Sequence, residues 1–257
     1  MSQGLTLIKL GGSVVTFKEK PLAANIDAIH GISRALTQIR VPIIIVHGGG
    51  SFGHYWSVKY DMHTKPANYD LHGVSIVHES MIALNQLIVN SMIEMGLNPY
   101  GTPPLALTLG HSPTLAQIKR IYAMAQSKII PVTFGDIVYV EGTKYSILSG
   151  DALMTILAKA LRPLRIIFAT NVDGVYKDNM RRELVDEIQI EDKSKSIEYF
   201  KAGIDVTGGM QRKVTEAFKI ASNGMDVVII NGLIPERIIE AARGKVKVGT
   251  LVKGRKS

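Results

Sequence analysis

Apolar positions in this chain follow two spacings in alternation. Short β-branched runs occur at Leu5–Leu10, Pro42–Val46, Ile129–Thr133, Arg165–Thr170 and Val227–Ile230. Runs this short and this apolar predict buried strands. Between them, apolar residues return every three or four positions. Asn25–Arg40 places Ile26, Ile29, Ile32, Leu36 and Ile39 on one helical face. Gly73–Met95 does the same with Val77, Met81, Leu84, Ile88 and Met92, and Gly96 stands where a helix stop favours glycine. Leu115–Ser127, Ala152–Leu161, Gly209–Gly224 and Pro235–Ala242 predict further helices. Ile137–Val140 and Tyr145–Leu148, joined by Glu141-Gly142-Thr143-Lys144, predict a hairpin. Val248–Val252 reads as a short edge strand. Strands alternating with helices belong to the α/β class, with a mostly parallel sheet covered on both faces. No internal repeat or low-complexity linker interrupts the pattern. If the 257 residues form two lobes sharing a sheet, the join falls near Pro163.

Glycine loops follow the predicted strands. Gly11-Gly12-Ser13 comes directly after the first, and His47-Gly48-Gly49-Gly50-Ser51 directly after the second. A third pair lies in Asp205-Val206-Thr207-Gly208-Gly209-Met210. One Gly-Gly marks an ordinary turn. Several at strand ends, with lysines nearby, suggest backbone N–H groups turned together into anion-binding nests.

Composition narrows the class. Hydrophobic residues make up 46% of the chain, which suits a well-buried core, and no apolar run is long enough for a bilayer. The chain enters a strand near its start, so no signal peptide is expected. Cysteine is absent, which excludes disulfides and thiolate metal sites, and the cytoplasm is the expected location. The net charge of +8 raises the question of nucleic acid. The charge is spread along the chain, however, and the only dense basic stretch is the tail from Lys245 to Lys256, without interleaved aromatics. The tail reads as a solvated terminus; no nucleic-acid or membrane partner is expected. A polyanionic small substrate suits the same charge.

Several phosphate motifs are missing: no Walker A sequence, and no Gly-x-Gly-x-x-Gly after the first strand. Metalloprotease spacing is also absent, and Gly50-Ser51-Phe52-Gly53 is not read as a nucleophile elbow. Glycine loops plus lysines fit phosphoryl transfer, where the protein mainly positions groups and neutralises charge. Two anionic partners repel by about 4 kcal/mol per unit-charge pair at 4 Å in an effective dielectric near 20. Lys9, Lys18 and Lys213 are the candidates to offset this. Lys9 stands at the end of an apolar strand and requires a partner. Asp151 is read either as an ordinary helix-start carboxylate or as the group that holds the lysines. His54, four residues past the glycine triplet and read as a loop residue, would contact whatever the loop holds, and His47 would orient the loop.

In order along the chain, Lys9-Leu10-Gly11-Gly12-Ser13, His47-Gly48-Gly49-Gly50-Ser51, Ser149-Gly150-Asp151, Thr170-Asn171-Val172-Asp173-Gly174-Val175-Tyr176 and Asp205–Met210 resemble the amino acid kinase superfamily. The stretch Gly50-Ser51-Phe52-Gly53-His54 is similar to its isopentenyl phosphate kinase branch, found mainly in archaea. The resemblance implies a three-layer αβα sandwich, with residues 1–163 holding the acceptor and residues 164–257 holding ATP. It further implies that Lys9, Gly11, Gly12, Ser13, Gly50 and Lys213 meet nucleotide phosphates, and that Asn171, Tyr176 and Gly209 belong to the nucleotide site. Lys18 would stabilise the transferring group, and Asp151 would organise the lysines. Gly49, His54 and Gly150 would meet the acceptor phosphate. Asn171 stands where the superfamily more often has aspartate, which leaves nucleotide preference open.

The implied reaction is ATP-dependent phosphorylation of isopentenyl phosphate, with Mg²⁺ carried on the nucleotide, no metal ligands from the protein and a homodimeric assembly. A kinase for fosfomycin or N-acetylglutamate, or a non-catalytic nucleotide-binding protein, remain the alternatives. For the five-carbon tail, an apolar slot is expected among Val77, Met81, Leu84 and Ile88, with Val138 and Leu148 opposite.

Overall fold

The computed structural model describes residues 4–109, 112–177, 183–190 and 209–255. Asp205–Gly208 of the third glycine loop, His111 and Lys256 lie outside the described residues.

From β1 (Thr6–Leu10) the chain passes through α1 (Gly12–Val15), α2 (Ile26–Leu36), β2 (Ile43–His47), α3 (Gly50–Lys59), α4 (Leu71–Glu94) and β3 (Pro99–Gly101). The short strands β4 (Thr108–Leu109) and β5 (Ser112–Pro113) precede α5 (Leu115–Gln126), β6 (Ile130–Phe134), β7 (Asp136–Glu141), β8 (Lys144–Leu148) and α6 (Gly150–Leu161). After β9 (Arg165–Thr170) and β10 (Glu187–Gln189) come α7 (Gly209–Ala221), β11 (Val227–Asn231), α8 (Pro235–Ala242) and β12 (Thr250–Lys253). Among the described residues, eight strands form one sheet in the order β10-β12-β11-β9-β1-β2-β6-β3. The six from β11 to β3 run parallel, and β12 pairs antiparallel to β11.

Two apolar layers flank the sheet, one per face, as strand alternation requires. Leu7, Val46 and Phe168 pack with Leu153, Met154, Ala217 and Phe218 of α6 and α7. Ile8, Leu10 and Ile45 pack with Ile32, Leu84 and Ile238 of α2, α4 and α8. The result is the expected three-layer α/β/α sandwich. A separate, smaller cluster of Met62, Val77 and Ile137, edged by Trp56, Tyr60, Val74, Tyr145 and Ile147, joins α3 and α4 to the β7–β8 hairpin.

Helix starts follow local chemistry. The side chains of Asn25, Asp70 and Ser149 accept hydrogen bonds from Ala28, Gly73 and Ala152 N–H groups, satisfying donors that the helix itself cannot pair. The Asp70 cap starts α4 two residues before the predicted Gly73. Helix α2 closes at Leu36, short of Arg40, with Ile39 still packed on the core beyond it. Two predicted features are corrected. The last strand is not an edge: β10 pairs with its outer side in register Ile188 to Val252. And the residues after Gly49 form helix α3, not a loop. Only Ser51 and Phe52 of α3 are buried, so it carries no apolar stripe for periodicity to reveal.

Candidate active site

The centre of the sheet brings the loops together. Strand β1 has β2 on one side and β9 on the other, so the chain order reverses about it and a crevice opens beyond its carboxyl end. The loops after β1, β2 and β9 all lie at that end. The buried ammonium of Lys9 lies 3.0 Å from Asp151 Oδ1, and a side-chain carbon at Gly48 would come within 3.5 Å of that ammonium. The partner that a buried strand lysine requires is therefore Asp151, on the first turn of α6. Ser149, not Asp151, caps that helix, so the helix-start reading of the aspartate gives way to the lysine-holding one.

Lys213, one turn into α7, closes the group. It is 9% exposed, with its ammonium 3.2 Å from the Gly209 carbonyl and its chain beside Gly11. Burial, followed by repulsion from Lys9, brings its pKa down to about 8, while Asp151 pulls the other way. For Asp151, burial would raise the pKa, but the charges of Lys9 and Lys213 outweigh it and hold the carboxyl below its ordinary value. Lys18 is exposed in the turn between α1 and α2, near enough for its charge to act on Lys213.

The first two glycine loops touch backbone to backbone. A Cβ on Gly12 would lie 2.3 Å from Gly50 N, so no side chain fits between them. Gly50 has φ +49, and a Cβ there would strike the Thr16 hydroxyl at 2.0 Å. That hydroxyl donates to Gly12 O (2.8 Å) and accepts from Ser51 N (2.9 Å), tying the loops together. Gly49 caps α3, and Gly150 opens α6 beside Lys9 and the His47 carbonyl. Contrary to the reading above, Gly49–Gly53 does have Gly-x-Ser-x-Gly spacing. Ser51 is nevertheless buried and hydrogen-bonded to Ala23 N (3.2 Å), not presented as a nucleophile.

On the other flank, Ser13 Oγ donates to Asn171 Oδ1 at 3.1 Å, linking the β1 and β9 loops. Tyr176 donates its hydroxyl to Asp173 (3.4 Å). Asp173 also accepts from Asn231 (3.0 Å) and Arg237, and these bonds, Asn231 first, lower its pKa. Asn231 and Arg237 stand far along the chain from Asp173 and carried no local signal.

His54 is exposed one turn into α3. It sits on a helix that shares Trp56 and Tyr60 with the small apolar cluster. His47 is fully buried and stacks on Phe134 with ring centroids 5.1 Å apart. Its Nδ1–H donates to the Gly48 carbonyl (3.2 Å), and Nε2 accepts from Asn85 Nδ2 (3.2 Å). Burial dominates its titration, bringing the pKa down to about 4 against the raising effect of Gly48, with Lys9 lowering it further. The signal for Asn85 was a lone amide inside the apolar face of α4.

The expected tail slot is not formed by the six residues chosen for it. Val77, Met81, Leu84, Ile88, Val138 and Leu148 are all no more than 2% exposed; five of them divide among three separate clusters, and Met81 lies under the second glycine loop, where a Cβ on Gly49 would meet its Sδ at 3.0 Å. The basic tail is partly neutralised: Lys247 pairs with Glu240 (2.7 Å) and Lys253 with Asp226 (2.8 Å). Among the described residues, no helix is long and apolar enough to cross a membrane.

Glycine loops and lysines gathered at the reversal point of a parallel sheet define a phosphoryl-transfer type of α/β protein. The chain belongs to the amino acid kinase family, whose profile matches residues 4–231. Within that family it is 32% identical over 254 residues to the isopentenyl phosphate kinase of Thermoplasma acidophilum, spanning 97% of this chain and 100% of that protein. It is 31% identical over 267 residues to the isopentenyl phosphate kinase of Methanothermobacter thermautotrophicus, spanning 98% and 100%. The crystal structure of the T. acidophilum isopentenyl phosphate kinase product complex matches with a TM-score of 0.80 at 30% identity, over 97% of this chain and 100% of that one.

Proposed function

We propose that this protein transfers the γ-phosphoryl group of ATP to isopentenyl phosphate, giving isopentenyl diphosphate and ADP. The observation that carries this is full-length likeness to isopentenyl phosphate kinases, joined to a site whose acceptor side carries His54. The acceptor's terminal phosphate oxygen attacks the γ-phosphorus in line as the bond to ADP breaks. That oxygen is already anionic at neutral pH, so no strong general base is needed. His54 donates to the acceptor phosphate, assisted by Gly49 and Gly150. Lys9 and Lys213, spaced by Asp151, neutralise the nucleotide phosphates together with Gly11, Gly12, Ser13 and Gly50. Lys18 acts on the transferring group, where charge redistributes in the transition state. Asn171, Tyr176 and Gly209 bound the nucleotide. Mg²⁺ would arrive on the nucleotide and supply charge neutralisation there. In this reading residues 1–163 hold the acceptor and 164–257 hold ATP. The working form is a cytoplasmic homodimer of archaeal type.

The test is a Mg-ATP assay across isopentenyl phosphate, fosfomycin and N-acetylglutamate. Isopentenyl phosphate should give the highest kcat/KM. Better turnover of another acceptor would reassign the substrate, and ATP binding without turnover of any would favour the non-catalytic alternative. In the same assay His54→Ala should lose at least tenfold in kcat/KM for the acceptor, as removal of a charge-assisted hydrogen bond worth roughly 1.5–3 kcal/mol implies. Its ATP affinity should hold.

A further inference from the structure

We infer that Glu216 is a positioning residue: bonded to Thr155, it fixes the register of α7 on α6 and so holds Lys213 beside the Lys9–Asp151 pair. The two helices carry their chemistry in matching order. Asp151 and Thr155 lie one turn apart on α6, and Lys213 and Glu216 lie one turn apart on α7. Glu216 and Thr155 are both buried, at 7% exposure. Thr155 donates to Glu216 Oε2 at 2.6 Å, and Lys219 donates to Oε1 at 2.7 Å. Both carboxyl oxygens are therefore occupied inside an otherwise apolar seam.

The rest of that seam is apolar. Its buried residues include Ala158, Ala217 and Ala221, and its larger members Leu157, Val214 and Phe218 are apolar. A slip by one helical turn, about 5.4 Å, would bury similar surface. It would also break the Thr155 bond and leave the buried Glu216 Oε2 without its donor, while Oε1 keeps Lys219 of the same helix; a buried oxygen that loses its partner opposes that arrangement. A buried polar contact selecting one register among apolar alternatives is the best-attested use of such groups. The same slip would carry the Lys213 ammonium away from Lys9 and Asp151. Thr155 also reaches the Glu216 carbonyl at 3.5 Å, and just past the helix ends Arg162 donates to the Asn223 carbonyl (3.0 Å) at an exposed position.

The consequence for nucleotide binding rests on the reading that Lys213 faces nucleotide phosphate, so two measurements separate the two ideas. The first is calorimetric binding of Mg-ATP without acceptor, in the wild type and in Thr155→Val, Thr155→Ser and Glu216→Leu. The second is titration of the Lys213 ε-position by NMR of isotope-labelled protein without nucleotide, assigned with Lys213→Arg. Thr155→Val and Glu216→Leu should weaken ATP at least tenfold and move the Lys213 titration from near 8 towards that of an exposed lysine. Thr155→Ser, which keeps the hydroxyl, should restore both. If Glu216→Leu does not fold, Thr155→Val, which keeps shape and volume, decides. A lower Tm with unchanged ATP affinity and unchanged Lys213 titration would reduce Glu216 to a packing role and overturn the inference. If the wild type does not bind ATP, the nucleotide reading falls, and the lysine titration still decides whether Glu216 positions Lys213.

Discussion

Lys213 lies between two opposite influences, the charge of Lys9 and that of Asp151, inside a site that excludes most water. Its pKa of about 8 places its charge within reach of ordinary assay conditions. Below pH 8 the free protein carries the ammonium that an anionic ligand needs; above it the ammonium is lost. ATP affinity should therefore weaken as pH rises from 7 to 9.5. Lys213→Arg, whose guanidinium stays charged, should flatten that profile. Calorimetric Kd values across the range decide it, and parallel profiles for the two proteins would remove Lys213 from the nucleotide. His47 makes the opposite kind of prediction. Its folded pKa of about 4 lies below the ordinary 6.5, so between those values the unfolded chain binds a proton that the folded one refuses. Stability then falls as pH drops through that window, by about 2 kcal/mol at pH 5, taking 1.36 kcal/mol per unit. Denaturant titrations at pH 7 and pH 5 should show a steeper loss for the wild type than for His47→Gln. Lys9 and Asp151 were legible in the sequence because a lysine in an apolar strand demands a partner. Asn85 left a trace as a lone amide on an apolar helical face, but its partner His47, like the Ser51 partner of Thr16 and the Thr155 partner of Glu216, lies on another element where no local pattern reports it.

Helices with an apolar stripe were readable, and α3 was not. Its glycines and unevenly spaced aromatics give no period, and Gly50 enters it through a left-handed conformation that only the three-dimensional contact with Gly12 explains. The tail slot was misassigned for a related reason. Periodicity reports which face of α4 is buried, not what is buried against it, so it selected Met81 and Leu84 from the core. Those two substitutions to alanine should cost about 2–5 kcal/mol of stability and leave chain-length preference unchanged. The half-buried Val74 and Ile147 edge the small cluster between α3, α4 and the hairpin, on the His54 side. Val74→Ala or Ile147→Ala should raise the kcat/KM ratio of geranyl phosphate over isopentenyl phosphate. Each additional CH₂ accommodated is worth about 0.8 kcal/mol. A ratio that moves in Met81→Ala but in neither of these would relocate the slot.

At the scale of the whole molecule, alternating strand and helix signals were enough for a parallel sheet with two covered faces. Strand order was beyond them, since register between distant segments depends on contacts that no local pattern contains. That is why β12 was read as an edge while β10 covers it. The order matters because it puts β1 centrally and gathers the loops of β1, β2 and β9 at one rim. The contact between Gly12 and Gly50 then has a kinetic meaning. In the proposed reading Gly12 faces the nucleotide and Gly49, next to Gly50 in the second loop, faces the acceptor; with main chain pressed on main chain and a threonine hydroxyl bonded to both loops, the gap between donor and acceptor phosphates is then set by peptide geometry. The length or fit of a hydrocarbon does not enter it. Acceptors that differ only in their tails should therefore share nearly one kcat and separate in KM. A kcat that fell steadily with tail length would mean that the two loops move apart to admit the larger substrates.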